Sequence, residues 1–594
     1  HYHGAAMDGI AVRATDTFGA SEFSAVTLTL GGSRGGQQGA NGAPPVFQYV
    51  DTGSPLPLWA NAVVMIERVF KKSEHEVEIR DAATPWQHVR LVGEDIVATE
   101  LLLPRGHKLR PYDIGALLAA GHTQVAVVAK PMVGIIPTGS ELIEPGEPPQ
   151  PGRIIEFNSR VTAAFVEEWS GEPRRLPRVI DDLPTISTAL TKAVKEHDIV
   201  VIIAGSSAGE HDFTVRALES LGEVLVHGID VMPGKPAILA VIEGKPVIGL
   251  PGYPVSAVVI CQQILRPLLA RFLNRPAEEP QKVRAFLPRK IPSRLGLEEF
   301  VRVSLGKVDD RLIVHPLGRG AGVITTMVKA DGVLRIPPLD EGLNAGQEVE
   351  VELLRPVEEI AHTILFTGSN DLTIGVLDDQ LRAQHPGCKI SASNVGSLGG
   401  LVALKRGEAH MIGAHLLDPA TGQYNLPDLK KQQLLSKVVV MNLVIREQGL
   451  IVPVGNPKKI TGLKDLARKD VTFLNRQPGA GTRVLLDYKL GKLKIKPERI
   501  QGYEREEVTH MAVAVAVASG LVDTGLGVKS AAKALRLDFV PVEREEYDVV
   551  FLKDFFASPM GQKLAEVIRS PAFKQAVTRL DGYDTAKTGT IKKQ

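Results

Sequence analysis

The sequence predicts a multidomain α/β protein. Two long stretches, 129–275 and 360–594, alternate strand-length apolar runs with helical ones, the pattern of mostly parallel sheets covered by helices. Two shorter stretches, 11–95 and 281–355, are cut by Gly and Pro into short β segments, giving a β-rich module and a β-barrel-like domain. The 594 residues amount to about four domains.

Composition narrows the function. Apolar residues at 44% and charged residues at 23% exclude a disordered or fibrous chain. Lys+Arg 69 against Asp+Glu 68 leaves no net field for nucleic acid or an acidic membrane. Aromatics at 5% leave no base-stacking surface. No apolar run reads as long enough for a bilayer span; the longest, 511–522, is short and contains Gly520. Cys261 and Cys388 sit in no metal or disulfide pattern, so a reducing cytoplasm is expected. The chain opens HYHGAAMDG, with neither Met nor a signal-peptide pattern, and its first domain is expected to be truncated at its start.

The elements follow in order. FSAVTLTL (23–30) alternates as a strand and runs into a Gly-rich loop. AVVMIERVF (62–70) and EVEIR (76–80) read as a strand pair, PYDIGALLAAG (111–121) as a proline-started helix, and QVAVVA (124–129) as a strand. VGIIPTGSEL (133–142) is a strand and turn, followed by a helix near 158–170 and a capped helix in DDLPTISTALTKAVKE (181–196). Strands DIVVIIAG (198–205) and KPVIGL (245–250) come next, and PGYPVSAVVICQQILRPLLARFLN (251–274) is a long helix. Linkers at 270–282 and 355–362 flank the second β stretch. No internal repeat is present.

In open parallel sheets, ligands bind beyond the carboxyl ends of the strands. Three turns take that place: Pro137-Thr138-Gly139-Ser140-Glu141; Ala204-Gly205-Ser206-Ser207-Ala208-Gly209-Glu210; and Leu250-Pro251-Gly252-Tyr253-Pro254. Gly-Ser turns at helix starts offer backbone N–H groups to an oxyanion. Glu141, Glu210 and Asp212 beside such an anion would repel it unless a divalent cation, typically Mg²⁺, lies between. Helix capping explains any one turn; three converging turns favour a metal–phosphate site. Lys235, between two prolines in MPGKP (232–236), suits a phosphate or is a plain loop lysine.

AMDGIAV (6–12), DTGSPLP (51–57), GEDI (93–96), PTGSEL, AGSSAGEHDFT, MPGKP and GLPGYPVSA (249–257) occur in the order and approximate spacing of the molybdopterin molybdenumtransferase family. The resemblance covers about 1–355. It implies an N-terminal linker domain (1–10 and 96–128), an inserted β domain (11–95), a molybdopterin-binding α/β domain (129–275) and a β domain (281–355). It also implies an elongated homodimer that makes molybdenum cofactor and AMP from adenylylated molybdopterin and molybdate, with Mg²⁺. Carried over motif by motif, Asp8, Thr52, Asp95, Glu141, Asp181, Asp212 and Lys235 are the catalytic candidates. Glu141, Asp181 and Asp212 are the metal candidates. Gly139, Ser140, Gly205, Ser206, Ser207, Gly209, Glu210, Pro251, Pro254 and Arg302 are the substrate-binding ones. The sequence departs from the bacterial pattern at Ile10 and Ser140, and at Gly228 and Met232, where lysines are common.

The region 360–594 resembles type-2 periplasmic binding domains, and more closely the substrate-binding-like domain of some prokaryotic molybdopterin enzymes and molybdate regulators. GSND, VGSLGGLVAL, HLLDP, YNLP, NLVIREQGLIV, NRQPGAGTR and GYEREE carry this resemblance. It implies two lobes, with crossovers near 440–454 and 535–550. The turns TGSND (367–371), NVGSLGG (394–400) and RQPGAGTR (476–483) suit a small tetrahedral oxyanion, molybdate or tungstate, at helix starts. Ser369, Ser397, Thr482 and Arg483 are the oxyanion candidates, with Asp487 as an alternative partner for Arg483. His362, His410 and His415 read as core or surface histidines. The expected function is cofactor biosynthesis, the C-terminal domain raising the local oxyanion concentration through a linker. An inactive scaffold and a molybdate or tungstate sensor are the alternatives. The expected partners are adenylylated molybdopterin, the oxyanion, a second copy of the chain and cofactor-receiving enzymes, without nucleic acid or membrane.

Overall fold

A computed structural model describes residues 1–31, 45–204, 213–418 and 420–592. The chain forms two compact units, His1–Val128 and Ala129–Gln594.

In the first unit, β1 (Gly9–Val12), β2 (Val26–Leu30), β3 (Val46–Val50), β4 (Ala62–Met65), β5 (Val69–Lys71) and β6 (Glu76–Ile79) form one sheet in the order β4-β1-β3-β2-β6-β5. Ile10, Val12, Leu28, Phe47, Val64, Val77 and Ile79 make its core. The run 62–70 is not one strand. A short 3₁₀ turn at Ile66–Arg68 splits it, so β4 pairs with β1 while β5 pairs with β6. Helix α1 (Pro111–Ala119) forms as its proline start suggests. Residues 124–129 join no sheet, and Val125, Val127 and Val128 are exposed. Apolar alternation alone does not make a strand; a ladder partner is needed.

The second unit begins with a helix-covered sheet. Its elements are β7 (Met132–Pro137), α2 (Asn158–Glu168), β8 (Glu172–Arg175), α3 (Leu183–Glu196), β9 (Ile199–Ala204), α4 (Phe213–Leu221), β10 (Glu223–His227), β11 (Ile238–Ile242), β12 (Lys245–Pro251) and α5 (Pro254–Phe272). The order is β8-β7-β9-β12-β11-β10, parallel from β8 to β12 and antiparallel beyond. Helix α3 shows why these residues choose helix. Asp182 caps it by accepting from Thr185 N at 3.0 Å, and Ile186, Leu190, Ala193 and Val194 form one buried stripe. Helix α5 contains a π-turn at Cys261–Leu265. By length and composition α5 could cross a membrane, which corrects the reading that no apolar run is long enough; 56% of that window is buried inside the protein. It is the core helix under the sheet, packing Ala257, Ile260, Leu265 and Leu269 on β7, β9 and β12.

Next, β13 (Lys282–Phe286), β14 (Glu298–Val308), β15 (Arg311–Pro316), β16 (Gly332–Ile336) and β17 (Glu348–Leu353) pair in the order β14-β15-β13-β17-β16. A β14–β16 pairing closes the barrel.

The remainder is two-lobed. β18 (Thr363–Gly368), α6 (Leu372–Gln384), β19 (Lys389–Asn394), α7 (Gly396–Lys405) and β20 (Met411–Ala414) belong to one lobe. β21 (Val438–Val452) crosses to the other, which holds β22 (Phe473–Arg476), α8 (Gly481–Leu493), α9 (His510–Ala518) and β23 (Thr524–Val528). β24 (Asp538–Leu552) crosses back, pairing antiparallel with β21 along its length, with register shifts at Asn442/Val444 and Gln448/Gly449. Separate cores fill the lobes, one around Phe366, Leu377 and Phe551, the other around Leu450, Phe473 and Leu486.

The segment 355–362 is not a loose tether. Val357–Ile360 is helical, and Ile360 is buried in the barrel core. The barrel packs directly on the first lobe. Lys389 pairs with buried Asp331, Ser391 Oγ donates to Ser304 Oγ at 2.5 Å, and Leu365 joins Val308 and Ile313 in one cluster. Gly306 permits this approach, because a Cβ there would meet Leu365 at 2.5 Å.

Candidate functional site

A cleft of about 940 Å³ opens at the carboxyl ends of β7, β9 and β12. This is where a parallel sheet leaves room for a ligand. Glu141, Lys235, Pro251 and Pro254 line it, together with Thr138, Glu156 and Asn158. Arg294, Arg319 and Gly322 reach it from the barrel. Asn158 Nδ2 donates to Gly252 O at 2.7 Å, pinning the start of α2 to the proline turn. Val255 N donates to Ala321 O at 3.0 Å, joining α5 to the barrel loop.

Gly139 has φ +147°, and a Cβ there would lie 3.0 Å from both Glu141 carboxylate oxygens. The glycine lets Glu141 fold back over its own turn. Ser140 and Asp181 are exposed, and Asp181 N donates to Ser140 Oγ at 3.4 Å, so the β7 turn and the turn before α3 are neighbours. Glu141 and Asp181 thus carry carboxylates on adjoining loops. Among the described residues no three His, Cys, Asp or Glu side chains group closely enough to hold a metal unaided. Gly205, Ser206, Ser207, Gly209, Glu210 and Asp212 lie outside the described residues.

Arg302 does not line the cleft. It is 1% exposed and donates to the carbonyls of Phe300, Gly318 and Gly320 at 3.0, 2.8 and 3.2 Å. It shapes the loop that carries Arg319. Arg319 in turn is oriented by Glu299. Gly228 adopts φ +87°, where a lysine would be strained. Met232 lines the cleft, and the basic groups lining it are Lys235, Arg294 and Arg319. The two arginines were missed because they lie in the β stretch; their Gly-rich or turn context (PSRLG, LGRGAG) is the only sequence signal.

Asp8, Thr52 and Asp95 belong to the first unit. Asp8 accepts from Thr52 N at 2.6 Å and Thr52 Oγ1 at 2.7 Å, which hold its carboxyl below the usual range. Asp95 is exposed.

In the two-lobed region, Ser369, Ser397 and Thr482 are buried and come together around His415. Ser369 Oγ lies 2.8 Å from His415 Nε2, and Ser397 Oγ accepts from His415 N at 3.3 Å. His415 Nδ1 is 3.1 Å from Glu545, and Gln448 links Glu545 (2.6 Å) to Thr482 (3.0 Å). Arg483 points elsewhere: it stacks on Tyr503, its guanidinium 4.1 Å from the ring centre, and lies 3.6 Å from Asp487. Three buried groups near this cluster, Arg446, Arg476 and His510, were not singled out from the sequence. His410, also buried, bonds the barrel, and His362 is exposed.

Comparison with known proteins agrees with this layout. Residues 1–121 match the family model of the MoeA N-terminal region (domains I and II), 134–271 the "Probable molybdopterin binding domain", 284–354 the MoeA C-terminal region (domain IV), and 378–569 the PBP superfamily domain. Molybdopterin molybdenumtransferase 2 of Mycobacterium tuberculosis is 31% identical over 362 residues, 59% of this chain and 88% of the relative. Molybdopterin molybdenumtransferase of Bacillus subtilis is 29% identical over 355 residues, 59% of this chain and 83% of the relative. The crystal structure of the molybdopterin biosynthesis MoeA protein from Pyrococcus horikoshii is 38% identical, with TM-score 0.51 over 60% of this chain and 88% of that one. The chain therefore belongs to the molybdopterin molybdenumtransferase family, enzymes of molybdenum cofactor biosynthesis, and carries in addition a PBP superfamily domain.

Proposed function

We propose that the chain inserts molybdate or tungstate into adenylylated molybdopterin with Mg²⁺-dependent release of AMP, and that its C-terminal domain binds the oxyanion. The observation that carries the first part is the cleft that unites Glu141 and Lys235 with Arg294 and Arg319. Lys235 and the two arginines face the phosphates and hold them in place. Glu141, Asp181 and Asp212 would hold Mg²⁺, which supplies charge neutralisation at the phosphoanhydride when bound. Pro251 and Pro254 give the cleft a stiff wall, and α5 begins behind them. Asp8, Thr52 and Asp95 act through a partner subunit in a homodimer. Two buried free cysteines, Cys261 and Cys388, suit a reducing cytoplasm.

The test is AMP release from adenylylated molybdopterin with molybdate, with and without Mg²⁺. Glu141→Gln is expected to lower the rate by about 10²-fold or more, as loss of one preorganised electrostatic group does. Wild-type rates in that variant, or Mg²⁺-independent turnover, would remove the assignment. An inactive scaffold is disfavoured by the retained carboxylate set, of which Glu141 lines the cleft with Lys235. Oxyanion binding by the second region rests on the meeting of Ser369, Ser397 and Thr482 at two helix starts. Ser397→Ala in the full chain is expected to weaken molybdate binding by about 1–3 kcal/mol, read by calorimetry.

A further inference from the structure

One strand and one loop join the C-terminal domain to the barrel. Alternate residues of β19 meet barrel side chains. Lys389 pairs with Asp331, Ser391 Oγ donates to Ser304 Oγ at 2.5 Å, and Ser393 Oγ accepts from Arg289 Nη2 at 3.2 Å. Side chains two apart on a strand share a face, so these three contacts lay β19 along the barrel. Arg289 has further neighbours at the joint. Its charge acts on Glu408 of the first lobe and on His315 of the barrel, and His315 Nε2 donates to Glu408 O at 3.2 Å.

Each end of this joint leads to a ligand site. On the lobe side, Ser393 is followed by Asn394, Val395 and the start of α7 at Gly396, with Ser397 next. That turn is held from two directions. Val395 N donates to Gly368 O at 3.0 Å, and a Cβ on Gly396 would lie 3.5 Å from the Gly479 carbonyl of the second lobe. On the barrel side, Arg289 opens the segment 289–299. Ile291 and Pro292 pair with Leu343 and Gly342, and Arg294 lines the transferase cleft. Ser293 Oγ donates to Glu299 Oε2 at 2.8 Å. Glu299, 2% exposed, in turn accepts from Nε of the cleft's Arg319 at 2.7 Å and from its Nη2. Glu299 also pairs in register with Met232, so the same segment braces the turn that carries Lys235.

The first lobe is fixed to the barrel, so a change in the spacing of the lobes moves the second. Gly479 then presses on the 394–396 turn or leaves it, and Ser393 follows because Asn394 alone separates it from Val395. Packed and hydrogen-bonded groups pass such a displacement on rather than absorb it. We infer that oxyanion binding in the C-terminal domain is coupled to the transferase cleft through Ser393 and Arg289, with Arg289 a positioning residue for Arg294 and Arg319. The coupling is positive. A filled domain holds the turn still, so the segment behind Arg289 has less freedom to lose when a nucleotide phosphate binds the cleft. The inference rests on the oxyanion reading above and adds a function that concentration alone does not give: the nucleotide is gripped when the oxyanion is present.

Calorimetry on the full chain tests it, titrating AMP with and without saturating molybdate, and molybdate with and without AMP. In the wild type each ligand is expected to tighten the other by the same factor, about 5- to 10-fold, since coupling between sites is reciprocal. Arg289→Gln is expected to bind either ligand alone as the wild type does and to bring that factor close to one. A merely structural role for Arg289 would lower the separate affinities and leave the factor unchanged. If Arg289→Gln does not fold, as judged by circular dichroism, Ser393→Ala replaces it with the same expectation. A factor retained in the folded variant, as molybdate lying beside AMP in the cleft would give, overturns the inference. So does a wild type that binds molybdate without any change in AMP affinity, and both results leave the oxyanion reading in place. Absence of molybdate binding to the wild type would overturn that reading and this inference with it.

Discussion

At the residue scale, small residues decide what the large ones can do. Gly139 holds Glu141 folded over its turn with a positive φ, and its missing Cβ leaves both carboxylate oxygens their space. Gly139→Ala is therefore expected to cost about 1–3 kcal/mol in local strain and to push Glu141 out of place. AMP release should fall by at least as much as in Glu141→Gln, with the sheet intact by circular dichroism; an active Gly139→Ala enzyme would show that Glu141 is not held by this turn. Arg302 illustrates the converse. Its sequence position suggests a substrate contact, but its guanidinium is used up on carbonyls of the 318–320 loop. Arg302→Lys is expected to act indirectly, by loosening Arg319, because a lysine cannot reproduce the forked donors.

At the element scale, the joint between barrel and first lobe is the feature with measurable consequences. His410 accepts from Leu365 N at Nδ1 (2.9 Å), so its Nε2 carries the proton and donates to Lys307 O (2.9 Å). His315 Nε2 donates to Glu408 O at 3.2 Å, and its Nδ1 is buried without a partner. Burial pushes both imidazoles down to about 4. A depressed histidine stabilises the fold fully above its unfolded value of about 6.5, and that stability is lost as pH falls through about 4. Thermal unfolding is accordingly expected to move to lower temperature between pH 6.5 and 4, and His410→Asn should flatten this dependence. The Lys389–Asp331 pair adds a second test. Asp331 also accepts from Leu305 N at 2.9 Å, so Lys389→Met leaves a buried carboxylate with only Arg355 at 3.7 Å. The expected loss is about 3 kcal/mol in urea unfolding, mostly restored by adding Asp331→Asn.

At the scale of the whole molecule, the C-terminal domain is fixed to the barrel of the transferase rather than swung on a tether. Its effect on the cleft does not follow linker statistics; the wild type is expected to unfold in one coupled transition, and lengthening 355–362 to separate it into two. The transferase part, 1–355, is expected to dimerise. Sedimentation at micromolar concentration that finds only monomer would count against a site shared between subunits. The four-part layout was legible because each part has its own texture, set by local patterns of apolar spacing and Gly/Pro breaks. The split of 62–70 between two partners, and the unpaired 124–129, were not, since strand pairing depends on distant neighbours.

What the sequence determined by itself was local. Asp182 and its apolar stripe make α3 a helix, and a Gly-Ser or Pro-Gly turn after a buried strand marks where the cleft opens. The motifs that place the chain in its family are of this kind, short and contiguous. The tertiary structure decided which charges meet. Arg294 and Arg319 meet Glu141 across more than 150 residues and Lys235 across more than 50, and Arg446, Asp371 and Glu545 converge from three elements. Electrostatic pairing depends on distance in space and on removal from water, and neither is written in the spacing of residues along the chain.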